Sequence, residues 1–149
     1  MNLVSAMGAT KKQRELAVDI AYFCIDELLP RHRTLEIEIQ LSKCADDGAT
    51  GFCYAMETER DFTVEIDKRI YNVDLDEFIV TICHEMVHVM QTAKGLLLDR
   101  VYPKKLGYRK LWKGKDYSKT PYSKQPWERQ AYRMQGKLAK KYKEEKCPI

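Results

Sequence analysis

The chain has 149 residues, 44% of them hydrophobic and 32% charged, which suits one globular domain with a modest core and is too short for two ordinary domains. Its formal net charge is +4, and no apolar run approaches the roughly 20 residues needed to cross a bilayer, so a membrane-spanning helix is excluded. The first ten residues lack the basic start and the apolar stretch of about 7–15 residues of a secretory signal, so an intracellular, cytoplasmic protein with no membrane partner is expected.

Residues 1–10 show no strong pattern and, like 144–149, are expected to fray. From Lys11 to Leu29, apolar positions at Leu16, Ile20, Phe23, Cys24 and Leu28 fall at helical spacing, and Pro30 stops the helix. Leu35 to Leu41 alternates apolar and polar residues, the period of a strand with one face on a core. Asp46-Asp47-Gly48 reads as a turn, Gly51 to Met56 as a second strand, and Phe62, Val64 and Ile66 as the inward positions of a third strand in a meander.

Asp74 supplies a helix cap with Glu77 three residues on, and the helix it opens runs to about Lys94 before Gly95. Gly95 to Gln125 is rich in Gly, Pro, Lys and Tyr and reads as a long functional loop. Pro126-Trp127 leads into a last helix of roughly Glu128 to Lys143. The expected fold is therefore α+β and a single domain over 1–149. Its parts are an N-terminal helix, a three-stranded and mostly antiparallel sheet, a long central helix, a long loop and a C-terminal helix.

The five cysteines are odd in number, widely spaced and form no C-x-x-C pair, so they read as reduced thiols. Cys24 and Cys83 fall on apolar helix faces, where a free cysteine is a small buried hydrophobe. Charge is unevenly divided: residues 1–103 carry 11 Lys/Arg against 18 Asp/Glu, and 104–149 carry 15 against 4. A basic C-terminal third is either a solvated face or a surface for nucleic acid or an acidic partner.

The central helix contains His84-Glu85-Met86-Val87-His88, which is H-E-x-x-H. At about 100° per residue, Leu75, Ile79, Ile82, Cys83, Met86 and Met90 share one side, and Glu77, Thr81, His84, His88 and Gln91 share the other. Histidines at i and i+4 stack one turn apart, so both rings can reach one metal ion, with Glu85 beside them to meet a metal-bound water. The third histidine of the chain, His32, lies between Arg31 and Arg33 after a helix stop and reads as a surface residue.

A catalytic zinc takes three protein ligands and a water. No histidine follows His88, so the third ligand is a carboxylate from Asp99, Asp116, Glu128, Glu144 and Glu145. Glu128 is preferred, because it opens a helix that can pack beside the first, with the small Ala131 three residues later on the same face. Asp74, Asp76 and Asp99 are candidates to orient a histidine from behind.

These two segments, His84-Glu85-Met86-Val87-His88 and Glu128-Arg129-Gln130-Ala131, resemble the zincin metallopeptidases in their glutamate-ligand branch, the gluzincins. Pro121-Tyr122-Ser123-Lys124-Gln125-Pro126-Trp127-Glu128 looks like the P-Y-x-x-x-P-W-E stretch of small SprT-like or ImmA-like zincins, many of them encoded by phages. The resemblance follows the order of elements over roughly residues 34–140, with strong identity in those two segments. It implies a minimal zincin-like domain in which the strand Phe62 to Asp67 is the edge that pairs with substrate.

The function then expected is a zinc-dependent peptidase acting on peptides or proteins. His84, His88 and Glu128 hold Zn2+, and Glu85 is the general base. A tyrosine from Tyr108, Tyr117, Tyr122 and Tyr132 steadies the oxyanion, with Tyr122 preferred. Two other readings compete with it. One is a zincin-scaffold binding module for DNA or a protein partner through Lys104 to Lys146; the other is a helical core protein carrying the motif by accident.

Overall fold

Alternation in the strands and 3.6-residue periodicity in the helices meet on one shared core. The computed structural model describes residues 1–43, 50–56, 58–102 and 107–146, with 100–102 described by backbone only. In chain order the elements are β1 (Leu3–Met7), α1 (Lys11–Leu28), β2 (Glu36–Ser42), β3 (Gly51–Ala55), β4 (Asp61–Asp67), α2 (Ile70–Val73), α3 (Leu75–Ala93), β5 (Leu97–Tyr102), β6 (Gly107–Trp112), β7 (Lys115–Asp116) and α4 (Pro126–Lys146), with a 3-10 turn at Tyr122–Lys124. The class is α+β, as the sequence indicates.

The sheet is not the three-stranded antiparallel meander expected. It has four strands in the order β1-β2-β4-β3, with β1 parallel to β2, β2 parallel to β4, and only β3 antiparallel to β4. Alternation tells which face of a strand is buried and says nothing of its neighbour. The fully buried Phe62, Val64 and Ile66 of β4 take an interior position beside Ile37, Ile39 and Leu41 of β2. The glycine-containing β3 goes to the edge. The strand expected at the edge, Phe62 to Asp67, is therefore internal, and β3 holds that place.

Within residues 1–10, where fraying is expected, Leu3–Met7 form β1. β1 is pinned by its ladder to β2, and the Asn2 side chain accepts from the Leu35 amide at 2.9 Å and donates to the His32 carbonyl at 2.8 Å. At the other end α4 continues to Lys146, three residues beyond the end expected at Lys143. Thr10 then caps α1 in a reciprocal box with Gln13, at 3.1 and 3.2 Å. Between β1 and the cap, Gly8 sits at φ +85°, and a Cβ on it would lie 2.2 Å from the Leu41 carbonyl oxygen. Gly8→Ala is therefore expected to cost about 2 kcal/mol or more, seen as a lower midpoint of urea unfolding.

The helices α1 and α3 cover one face of the sheet, and their shared interface buries Cys24 and Cys83 with the sulfurs 3.8 Å apart as free thiols. Cys53 is also a free thiol, while Cys44, Cys147 and the turn expected at Asp46-Asp47-Gly48 lie outside the described residues. The segment expected to be a long loop is instead a small antiparallel sheet, β5-β6-β7. Its Leu97 and Trp112 pack on Trp127 as a second apolar cluster.

Part of the charge division is internal complementarity. Lys141, Lys143 and Lys146 of α4 pair with Glu27, Asp76 and Asp19 on α1 and α3, at 2.8, 3.2 and 3.7 Å. Each such exposed pair is weak, but together they favour one seating for the end of α4. Among the described residues, no helix is long and apolar enough to cross a membrane.

Candidate metal centre

Asp74 caps α3 by accepting from the Glu77 amide at 3.1 Å, and the helix that follows is buried almost all round. The expected apolar side, Ile79, Ile82, Cys83, Met86 and Met90, enters the core, while Leu75 in the first turn stays exposed. The opposite side, carrying Thr81, His84, His88 and Gln91, is covered in its turn by α4. That helix is held by Trp127, which is 1% exposed, and lies close to α3 because Ala131 is fully buried between them. Glu128, Ala131 and Gln135 follow one another on the face turned to α3.

This packing brings the three expected ligands together. Glu128 Oε1 lies 3.0 Å from His84 Nε2 and 3.2 Å from His88 Nε2. The three could hold one metal ion. Ligand atoms on a tetrahedral zinc with bonds of 2.0–2.1 Å stand about 3.3 Å apart, close to these separations. None of the other candidate carboxylates joins this cluster. Asp116 engages Ser118 and Arg109, Glu144 and Glu145 lie at the far end of α4, and Asp99 accepts from the Tyr108 hydroxyl. His32 stands apart from the site, with its backbone carbonyl bonded to Asn2.

Asp74 and Asp76 do not orient a histidine: the first is the helix cap and the second pairs with Lys143. Two glutamines do. His84 Nδ1 lies 2.7 Å from Gln135 Oε1, and His88 Nδ1 lies 2.8 Å from Gln91 Oε1. Gln91 is fully buried, and its amide nitrogen donates to the Trp127 carbonyl and to Gln130 Oε1, both at 2.9 Å. Those two acceptors fix which end of the amide meets His88.

An oxygen acceptor at Nδ1 holds the proton there and leaves the Nε2 lone pair free. Two Nε2 lone pairs and a carboxylate oxygen then point at one another, a donor set that needs a cation between its members. Without a metal ion, a proton on the rings has to serve. Burial disfavours the charged form of His84, yet the hydrogen bonds to Glu128 and Gln135 prevail and raise its pKa. Burial likewise acts to raise Glu128, but the bonds from His84 and His88 hold it well below the usual carboxylate range.

Helical spacing places Gln91 at i+3 from His88 and Gln135 at i+7 from Glu128, the one signal that could have found them. If Gln135 orients His84, Gln135→Leu should weaken zinc binding by about tenfold or more. Competition with a chromophoric chelator would measure it.

Glu85 lies beside the ligands and is 6% exposed, with no hydrogen bond to its carboxylate among the described residues. Burial raises its pKa, opposed by His88 and His84. Gly51 on β3 makes room for it, since a Cβ there would stand 3.1 Å from Glu85 Oε1 and 3.0 Å from Thr81 Cγ2. Both residues border a cleft of about 490 Å³ together with the three ligand side chains, Lys110 and Tyr122.

Of the four tyrosines considered, two come to the site. The Tyr122 hydroxyl donates to Glu128 Oε1 at 3.1 Å and lies 3.3 Å from the Tyr132 hydroxyl, while the Tyr132 ring meets His84 edge-on at 4.8 Å. Tyr108 serves Asp99, and Tyr117 packs on Trp127.

No family model, no curated protein and no solved structure matches this chain. What the centre can do follows from its own chemistry: two imidazoles and a carboxylate that could hold one metal ion, with an unengaged carboxylate beside them, open to a cleft, next to an edge strand.

Proposed function

We propose that this protein is a zinc-dependent peptidase of the zincin type, hydrolysing peptide bonds in polypeptides. The observation that carries the reading is the approach of His84 Nε2 and His88 Nε2 to Glu128 Oε1, at 3.0 and 3.2 Å, beside the bare carboxylate of Glu85. His84, His88 and Glu128 would hold the ion. When bound, zinc brings the pKa of a water ligand near neutrality and polarises a carbonyl oxygen.

Glu85 supplies the proton transfer. Its desolvated carboxylate takes a proton from the attacking water and passes it to the leaving amine. A site that only bound metal for structure would need the three ligands and no such base. The Tyr122 hydroxyl, 56% of whose residue surface is exposed, can turn from Glu128 to the oxygen on which negative charge develops. The outer edge of β3 offers main-chain N–H and C=O groups to an extended substrate.

The test is elemental analysis of protein purified without added metal, joined to an assay on unfolded casein. About one zinc per chain is expected, with cleavage lost on chelation and restored by zinc. Absence of zinc, or zinc with no cleavage of any polypeptide, would overturn the reading. A second reading, a scaffold that binds DNA or an acidic protein, is favoured by Lys113, Arg129 and Arg133. They border one surface hollow, with no ion-pair partner among the described residues.

A further inference from the structure

The cleft does not stop at the metal centre. On one side it opens, past Gly51 and Glu85, into a hollow of about 210 Å³ bordered by Thr50, Thr81 and Glu77. On the other it opens, past Ala55 and Thr92, into a hollow of about 440 Å³ between Met56 and Leu98, with Glu59 and Asp99 at its margin. The three spaces share lining residues in sequence. Together they form one groove along the whole of β3, about five extended residues long at 3.4 Å per residue. No cation stands at either end to clamp a terminal carboxylate, among the described residues.

The charge of this groove is opposite to that of the chain. Among the described residues, its lining carries five carboxylates, Glu59, Glu77, Glu85, Asp99 and Glu128, against one lysine, Lys110, whose ammonium rests 4.9 Å from the centre of the Trp127 ring. A divalent ion on the ligands would still leave a deficit of about two charges, in a protein whose net charge is +4. Among the described residues, Glu59, Glu77 and Asp99 have no cation within ion-pairing distance. Glu85, more than nine-tenths buried, turns an unengaged carboxylate into the groove. Unpaired carboxylates along a partly enclosed groove raise the local concentration of cations and reject like charge.

We infer that the groove takes an extended, lysine- or arginine-rich segment of polypeptide that enters at one end and leaves at the other, so that cleavage falls within a chain. This builds on the peptidase reading for the chemistry but is tested by binding alone. Zinc-loaded Glu85→Gln would be titrated against fluorescent twelve-residue peptides, identical except for Lys or Glu at positions flanking an alanine-leucine centre, with a neutral peptide as reference. The basic peptide should bind about tenfold tighter than the neutral one, and the acidic one more weakly, with the preference shrinking as salt is raised. Reversing charge at both ends with Glu59→Lys and Glu77→Lys should reduce the preference to about threefold or less, with zinc content reporting an intact fold.

Equal binding of the three peptides, or a basic preference untouched by the two reversals, would overturn the inference. Basic preference in binding without hydrolysis by the unaltered chain would instead defeat the peptidase reading and leave the groove's ligand as stated.

Discussion

Glu85→Gln is expected to retain one zinc per chain and the native fold while lowering hydrolysis by about 10²- to 10⁴-fold, the contribution typical of a positioned general base. The amide has the shape of the carboxylate, so it fits the space that Gly51 and Thr81 leave. Fold stability should not fall, because the carboxylate makes no hydrogen bond to the described residues and the burial of Glu85 disfavours its ionisation. The measurement is kcat/KM beside zinc content and thermal midpoint. Cleavage at the unaltered rate would remove Glu85 from the chemistry, and loss of zinc or fold would mean that it holds the site together.

Glu128→Ala and His84→Ala are expected to lose zinc, with affinity falling by more than the roughly 10- to 100-fold cost of losing an outer partner, because each removes one of three ligands. Chelator competition gives the number, and unchanged affinity in Glu128→Ala would assign the third position to another group. pH offers an independent check on the same atoms. In metal-free protein, the depressed pKa of Glu128 adds stability above its ordinary value of 4.5, lost as pH falls through the depressed value. The raised pKa of His84 adds stability below 6.5, lost as pH rises through the raised value. The metal-free trio is thus held best between those ordinary values. Zinc needs neutral imidazoles and should strengthen above that window, so the rise in thermal midpoint on adding zinc should grow from pH 5.5 to 7.5.

Much of this centre is legible in the sequence because its parts are local. H-E-x-x-H places two rings on one helix face by spacing alone, and Glu128 follows from a carboxylate opening a second helix next to Pro126 and Trp127. The role of the glutamines was not legible, although spacing puts Gln91 on the histidine face. Gln91 and Gln135 become acceptors for the two imidazoles only once α4 lies against α3, and a neutral amide carries no signal of charge or motif. The strands show the same divide. Ile37, Ile39, Leu41, Phe62, Val64 and Ile66 announce which face is buried, but the exchange of β3 and β4 depends on packing across the sheet. β1 was hidden by being only five residues long, and β5 and β6 by a composition that suggests a loop. Their order comes from covering Trp127, a residue distant in sequence.

The bonds from His84 and His88 to Glu128 span 44 and 40 positions of chain. Both histidines leave the ribosome long before the glutamate and before Gln135, which steadies one of them. A nascent chain therefore carries a half-built site throughout that interval, able at most to bind metal weakly. On the peptidase reading, the set of groups needed to cut a polypeptide would be complete only when α4 docks, so the ribosome-bound chain would pass that interval without it.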